Sequence, residues 1–179
     1  MTTIIEGIAE RIGGISYSDL PPEAVHWAKA AILDTVGVTL AGAAEPCTQI
    51  VARVLSAGAD GSEGECLIFG TARRAAPLDA ALINGTAAHA LDYDDVALRG
   101  HPSTVLVPAI LAEAEHLGSS GADMITAYVA GYETWAVSAS ASSSARSSAS
   151  LRYARARQER RWISQGPRSR TIFVCAAVM

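Results

Sequence analysis

The sequence predicts an all-α fold, an antiparallel helical bundle, and three observations carry that prediction. Apolar residues recur at helical spacing through most of the first 136 positions. Alanine dominates over large apolar side chains, with only two Phe in 179 residues, a composition that suits closely packed helices better than a β-sandwich. Prolines sit where helices would start and glycines where they would end. Half of the residues are hydrophobic and the mean hydropathy is +0.22, enough to build a packed core and too much for global disorder.

Taken in order, Thr3 to Ile12 forms a short amphipathic helix ended by Gly13-Gly14. In "SDLPPEAVHWAKAAILDTVGVTLAG" two prolines open a second helix, Glu23 lies in its first turn and Gly42 follows its end. Cys47 to Ala57 makes a third helix, and "GADGSEGE" a turn-rich loop. "CLIFG" is a strand-like run before a turn at Thr71 to Ala75, giving a short hairpin near residues 66–75. Pro77 to Leu91 is a fourth helix. Ser103 to Leu117 is a fifth with Ser103 as N-cap, and Ser120 to Trp135 a sixth. The break at Gly118 to Gly121 sets the last two side by side and antiparallel.

Composition also excludes classes of function. The cysteines, Cys47, Cys66 and Cys175, are odd in number and far apart, which argues against a disulfide framework or zinc site and for a reducing cytoplasm. "MTTIIEGIAERIGG" carries early acids and no apolar run, so it does not read as a secretory signal. The most apolar window, Ala24 to Ala44, holds His26, Lys29 and Asp34, against a membrane span.

Charge divides the chain at Ala136. Residues 1–136 carry 6 Lys+Arg and 17 Asp+Glu, a balance of −11, whereas residues 137–179 carry 8 Arg and one acid, Glu159, a balance of +7. Eight of the fourteen residues from Val137 to Ser150 are serine. This Ser/Arg-rich tail loses lasting periodicity. A basic arm for nucleic acid is one account of it; a frame change or misread junction after Ala136, leaving a disordered tail, fits the abrupt loss of pattern better.

Chemistry concentrates in "HALDYDDVALRGHPS", His89 to Ser103. On a continued helix His89, Asp92 and Asp95 would share a face and Asp94 would point elsewhere. His101, before Pro102, would be extended. An imidazole and a carboxylate brought together can act as acid–base partners near neutral pH. By spacing alone Asp94, Asp95 and Arg99 read as solvated charges flanking a loop. A mixed set of His89, Asp92, Asp95 and His101 could instead hold the divalent metal of a hydrolase, although the spacing matches no recognised metal signature. His26 reads as a packed histidine, His116 as a partner of its helix C-terminus, and Tyr93, Tyr128, Tyr132 and Trp135 as core.

"NGTAAHALDYDD" followed by "GHPSTVLVPAILAEAEHLGSSGADMITAYVAGYE", with "AILDTVGVTLAG" upstream, resembles the N-terminal helical domain of the MmgE/PrpD family over about residues 4–135. That family includes 2-methylcitrate dehydratase, cis-aconitate decarboxylase and an epimerase. The resemblance implies a cytoplasmic, homodimeric, cofactor-independent lyase acting on a small di- or tricarboxylate in propionate metabolism. It implies neither a metal nor nucleic-acid or membrane partners. Asp92 and His101 fall on active-site positions, and Arg99 and Ser103 are the candidate substrate-binding residues, Arg99 because a guanidinium matches a carboxylate bidentately. Val96 stands where the decarboxylase branch places a threonine. The resemblance also implies a further histidine in a Gly-Phe-His segment, then a lysine and another histidine, and a mixed α/β lid. Beyond "GYETWA" the sequence holds neither residue type, its last histidine being His116 and its only lysine Lys29. A truncated, inactive lyase is therefore expected, with a non-catalytic helical interaction or dimerisation fragment as the alternative.

The division at Ala136 makes a prediction. Limited trypsin digestion is expected to cut first between Arg146 and Arg170 while residues 4–135 resist. Early cuts at Arg11 or Arg53 with the tail intact would contradict it.

Overall fold

A computed structural model describes residues 4–58, 64–97 and 100–144, without the side chains of residues 4–5, 57–58 and 138–144. Its named elements are all helical except for one small hairpin. The helices are α1 (Ile4–Gly13), α2 (Pro22–Gly42), α3 (Pro46–Gly58), α4 (Pro77–His89), α5 (Pro102–Leu117) and α6 (Gly121–Ser144), with a 3₁₀ turn at Tyr17–Asp19. None of them is long and apolar enough to cross a membrane. The expected change of character after Ala136 falls inside α6, which continues to Ser144, and residues 145–179 lie outside the described residues.

Proline places the starts. Pro22, Pro77 and Pro102 each stand in the first helical turn, where the missing N–H costs nothing and the fixed φ suits the helix. Gly118, at φ +63°, ends α5 in the left-handed conformation and donates its N–H to the Ala114 carbonyl, as a glycine past a helix end does. Ser120 and Asp123 then open α6 reciprocally. The Ser120 N–H donates to Asp123 Oδ2 (3.0 Å), and the Asp123 N–H donates to Ser120 Oγ (3.2 Å), an arrangement equivalent to a capping box.

Helix α5 is the centre, packed against α4, α6, α2 and the hairpin. It buries Leu106, Val107, Ala109, Ile110, Ala112 and Ala114. Leu20, Ala28, Ile125 and Tyr128 join Leu106, Val107 and Ile110 in the main core cluster. Helix α2 meets its neighbours through small and polar positions, burying Ala28, Thr35, Thr39 and Gly42. The Thr35 hydroxyl donates to the Ala31 carbonyl (2.7 Å) and that of Thr39 to the Thr35 carbonyl (2.6 Å), so neither buried oxygen is left unpaired. Gly42 belongs to the helix instead of following it. A Cβ there would run into the Ala87 carbonyl of α4, so the α2 and α4 backbones touch directly.

The hairpin is narrower than expected, pairing β1 (Cys66–Leu67) with β2 (Arg74–Ala75) in the register Cys66–Ala75 and Leu67–Arg74. Tertiary contacts hold so short a pair. Buried Asn84 of α4 donates to the Leu67 carbonyl (2.9 Å) and accepts from the Phe69 N–H (3.0 Å), and the buried Cys66 thiol donates to the Ala112 carbonyl (3.1 Å). Burial, first, and the nearby glutamates push that thiol above its ordinary pKa. Two sequence expectations need correction. His26 is exposed and stacks edge-on against Trp27. Tyr93 is 72% exposed, beyond the end of α4. His116 stands in the last turn of α5, as expected of a partner for that helix end, and also pairs with Glu65 (2.6 Å) across to the hairpin.

The α2–α4 contact makes a prediction. Gly42→Ala is expected to lower the unfolding free energy by about 1–3 kcal/mol, because overpacking at a backbone contact outweighs the gain in helix propensity. Gly37→Ala, on the same helix with open space around its Cβ position, is expected to raise it by about 0.5–1 kcal/mol. Urea denaturation of the two variants checks both signs.

Candidate active site

The segment from His89 to Ser103 joins the end of α4 to the start of α5. Helix α4 stops at His89, two residues earlier than the sequence suggested, and the Asp92 N–H donates to the His89 carbonyl (3.2 Å) to close a turn. The stop is made by Asp92, at φ 54° and the only described non-glycine residue with positive φ. Aspartate tolerates that left-handed conformation better than most residues. With the helix ended, His89, Asp92 and Asp95 do not share a helical face.

Asp94, expected to be solvated, is instead the centre of the site. Its side chain is 0% exposed, with His89 Nδ1 2.9 Å from Oδ1 and His101 Nδ1 2.7 Å from Oδ2. The two imidazoles lie with ring centroids 4.5 Å apart, tilted by 60°. Burial works to raise the Asp94 carboxyl, but hydrogen bonds from His89, its own backbone and His101 outweigh it, holding the group below the ordinary carboxylate value. Asp92 is 77% exposed, its Oδ1 3.9 Å from His101 Nε2. The structure thus brings Asp92 and His101 within reach of each other, through a turn and not a helix.

Asp95 has another task. Its Oδ1 accepts the Ser103 N–H (3.1 Å) at the start of α5, satisfying a backbone donor no helical carbonyl can reach. His101 occupies the N-cap position, Pro102 follows, and Ser103 lies inside the helix, which corrects its expected role as N-cap. The Ser103 hydroxyl is buried against the Tyr128 hydroxyl (2.8 Å). Burial pushes Tyr128 up to about 12, and the Asp95 charge adds to the rise against the Ser103 hydrogen bond. Ala97 and Gly100 exchange a pair of backbone hydrogen bonds (2.9 and 3.1 Å). The Trp135 indole of α6 rests on Gly100, where a Cβ would strike the ring. Arg99 lies outside the described residues.

A concavity of about 830 Å³ opens between α2 and α6, lined by Ala28, Ala31, Asp34, Asp95, Tyr132 and Glu133 among others. Its wall is mostly apolar and none of its lining residues is a histidine. Asp95 borders it from the side of the active-site loop. For a metal, the group assembled among the described residues is His89, Asp92, Asp94 and His101, with ligand atoms within 4.8 Å of one another. Asp94 therefore takes the place expected of Asp95, which is committed to α5. Sequence spacing missed Asp94 because no glycine or proline between His89 and Asp95 announces the end of the helix. The one available signal was the density of acids itself.

The depressed Asp94 carboxyl predicts a pH dependence. A group whose folded pKa is lowered contributes stability above its unfolded pKa and loses it as pH falls through the folded value. Asp94→Asn is expected to cost about 1.5–3 kcal/mol of stability near neutral pH, the worth of a hydrogen bond to a charged group. The deficit against the parent chain should shrink below about pH 4, the unperturbed carboxylate range. Thermal melts of both chains across the acid range measure it; a pH-independent difference would contradict the assignment.

Comparison with known proteins agrees with this architecture. A model of the MmgE/PrpD N-terminal domain matches residues 6–153. Cis-aconitate decarboxylase-like protein oryM of Aspergillus oryzae is 35% identical over 126 residues, which are 65% of this chain and 26% of that protein. Cis-aconitate decarboxylase of Homo sapiens is 30% identical over 139 residues, 74% of this chain and 28% of that protein. Cis-aconitate decarboxylase of Aspergillus terreus is 27% identical over 127 residues, 67% of this chain and 26% of that protein. The chain thus spans little more than a quarter of the length of these curated relatives. With helices α2 to α6, the hairpin and the ordered run from Asn84 to Glu133 all inside the matched region, the chain belongs to the MmgE/PrpD family.

Proposed function

We propose that the segment from His89 to Ser103 is one wall of the active site of a cofactor-independent lyase acting on a small di- or tricarboxylate. The observation that carries this reading is His101, held at Nδ1 by buried Asp94 with its Nε2 3.9 Å from the exposed Asp92 carboxylate. Dehydrating a β-hydroxy tricarboxylate requires a base for the proton α to a carboxylate and an acid for the departing hydroxide. His101 Nε2 has the form of such a base, with the exposed Asp92 carboxylate beside it. Substrate carboxylates need cations. Residues 1–136, at −11, supply few, and Arg99 is the one in this segment that could clamp a carboxylate. The remaining cations, and the further acid–base groups that family resemblance implies, must come from elsewhere in a homodimeric cytoplasmic enzyme.

Dehydration of a 2-methylcitrate-type acid suits Val96, where the decarboxylase branch places a threonine. Decarboxylation of a cis-aconitate-type acid is the second reading, favoured by the names of the relatives. The metal-hydrolase reading rests on the four assembled ligand groups.

Residues 1–179 alone are expected to turn over neither acid, since active-site groups that act as a unit lose nearly all rate enhancement when several are missing. Residues 1–136 joined in frame to the rest of a family enzyme should restore activity. In that chimaera His101→Ala should lower kcat by about 10²–10⁴, the usual worth of a general acid–base group. Following alkene formation and carbon dioxide release separately distinguishes dehydration from decarboxylation. Turnover by the short chain would contradict the split site, and a fully active His101→Ala chimaera would remove this histidine from the mechanism.

A further inference from the structure

His89 and Asp94 were not among the residues that resemblance pointed to, yet Asp94 is the one buried carboxylate among the described residues, and His89 is bonded to it. A carboxylate ringed by protein and cut off from water must have both oxygens satisfied. Asp94 accepts at Oδ1 from His89 and at Oδ2 from His101, through Nδ1 in both cases. An ionised carboxylate can only accept, so each Nδ1 must carry the proton. In a neutral imidazole the opposite nitrogen, Nε2, then holds the lone pair. Nδ1 of each ring faces Asp94, so each Nε2 lies on the edge turned away from it.

From this we infer that Asp94 is a positioning residue, locking His89 and His101 together as Nδ1–H tautomers so that the site presents two prepared Nε2 atoms. His89 is then a second imidazole of the same site, contributed by the last residue of α4, while His101 comes from the threshold of α5. The geometry supports a shared site. His89, Asp92, Asp94 and His101 each place a polar atom within 4.8 Å of the others, and the rings are 4.5 Å apart. His89 is half exposed, open to whatever occupies the space beside Asp92. Sharing also makes the two rings dependent on one carboxylate. A carboxamide in its place offers one acceptor oxygen and one NH₂ donor, so it can hold only one ring in the Nδ1–H form. What the second imidazole does chemically rests on the lyase reading above, but its tautomer does not.

Long-range ¹H–¹⁵N correlation spectra of the histidine-labelled 179-residue chain, at about pH 8 where an unperturbed imidazole is neutral, read the tautomers without any substrate. Single His→Gln variants assign the signals. Both His89 and His101 are expected to carry the proton on Nδ1, and a proton on Nε2 of either ring would overturn the proposal. In Asp94→Asn one ring should keep Nδ1–H and the other should change to Nε2–H. Two unchanged tautomers in a folded Asp94→Asn chain would show that the carboxylate does not set them. Should that variant fail to fold, His89→Gln decides: His101 is expected to keep Nδ1–H, because Asp94 still faces it, and a switch to Nε2–H would overturn the proposal. A chain that shows these tautomers but whose chimaera is inactive would leave the positioning role standing and reject the lyase reading.

Discussion

The hydrogen-bonded carboxylate of Asp94 is the constraint around which this end of the molecule is organised. Removing a charge from water costs several kcal/mol unless partners replace the lost hydration. Here the partners come from the end of α4 and the start of α5. Those two helices can satisfy one aspartate only if the chain between them doubles back. The left-handed Asp92 makes the reversal, the Asp95 carboxylate fixes where α5 begins, and the Ala97–Gly100 pair closes the loop under Trp135. Each of three neighbouring aspartates thus has a different physical role: one breaks a helix, one is buried, and one caps.

The rest of the fold holds that junction still. Helix α5 is buried along most of its length because α4, α6, α2 and the hairpin all lie against it. Small residues permit this crowding, most plainly where Gly42 of α2 meets the Ala87 carbonyl. Polar groups inside the bundle are paired locally, Thr35 and Thr39 to their own helix, Asn84 to the hairpin and Ser103 to Tyr128. Among the described residues no buried side-chain polar atom is left without a partner. Such pairing fixes rotamers as well as contributing energy, which is what a site that positions imidazoles requires.

Family membership and geometry meet at His101. Resemblance placed it with Asp92, and the structure puts the two 3.9 Å apart while adding His89 and Asp94 behind them.

The sequence by itself determined the helical class, the order of the six helices and most of their limits. Those follow from local rules: proline in a first turn, Gly118 beyond a last one, and a reciprocal Ser120–Asp123 start. Resemblance singled out Asp92 and His101, but nine residues can span about 30 Å when extended, so it was the turn that brought the two within 3.9 Å. Which aspartate would be buried was not legible. Extending the α4 periodicity through Asp95 put Asp94 on the wrong side, and no glycine or proline in that stretch warned of the break. Ser103 looked like a cap by residue type, yet Asp95, eight positions upstream, reached its N–H first. Tyr93 looked like core by its spacing, and the same early break left it in solvent. Tertiary structure decided these because burial and reach depend on where the chain turns, and here a single left-handed residue set the turn.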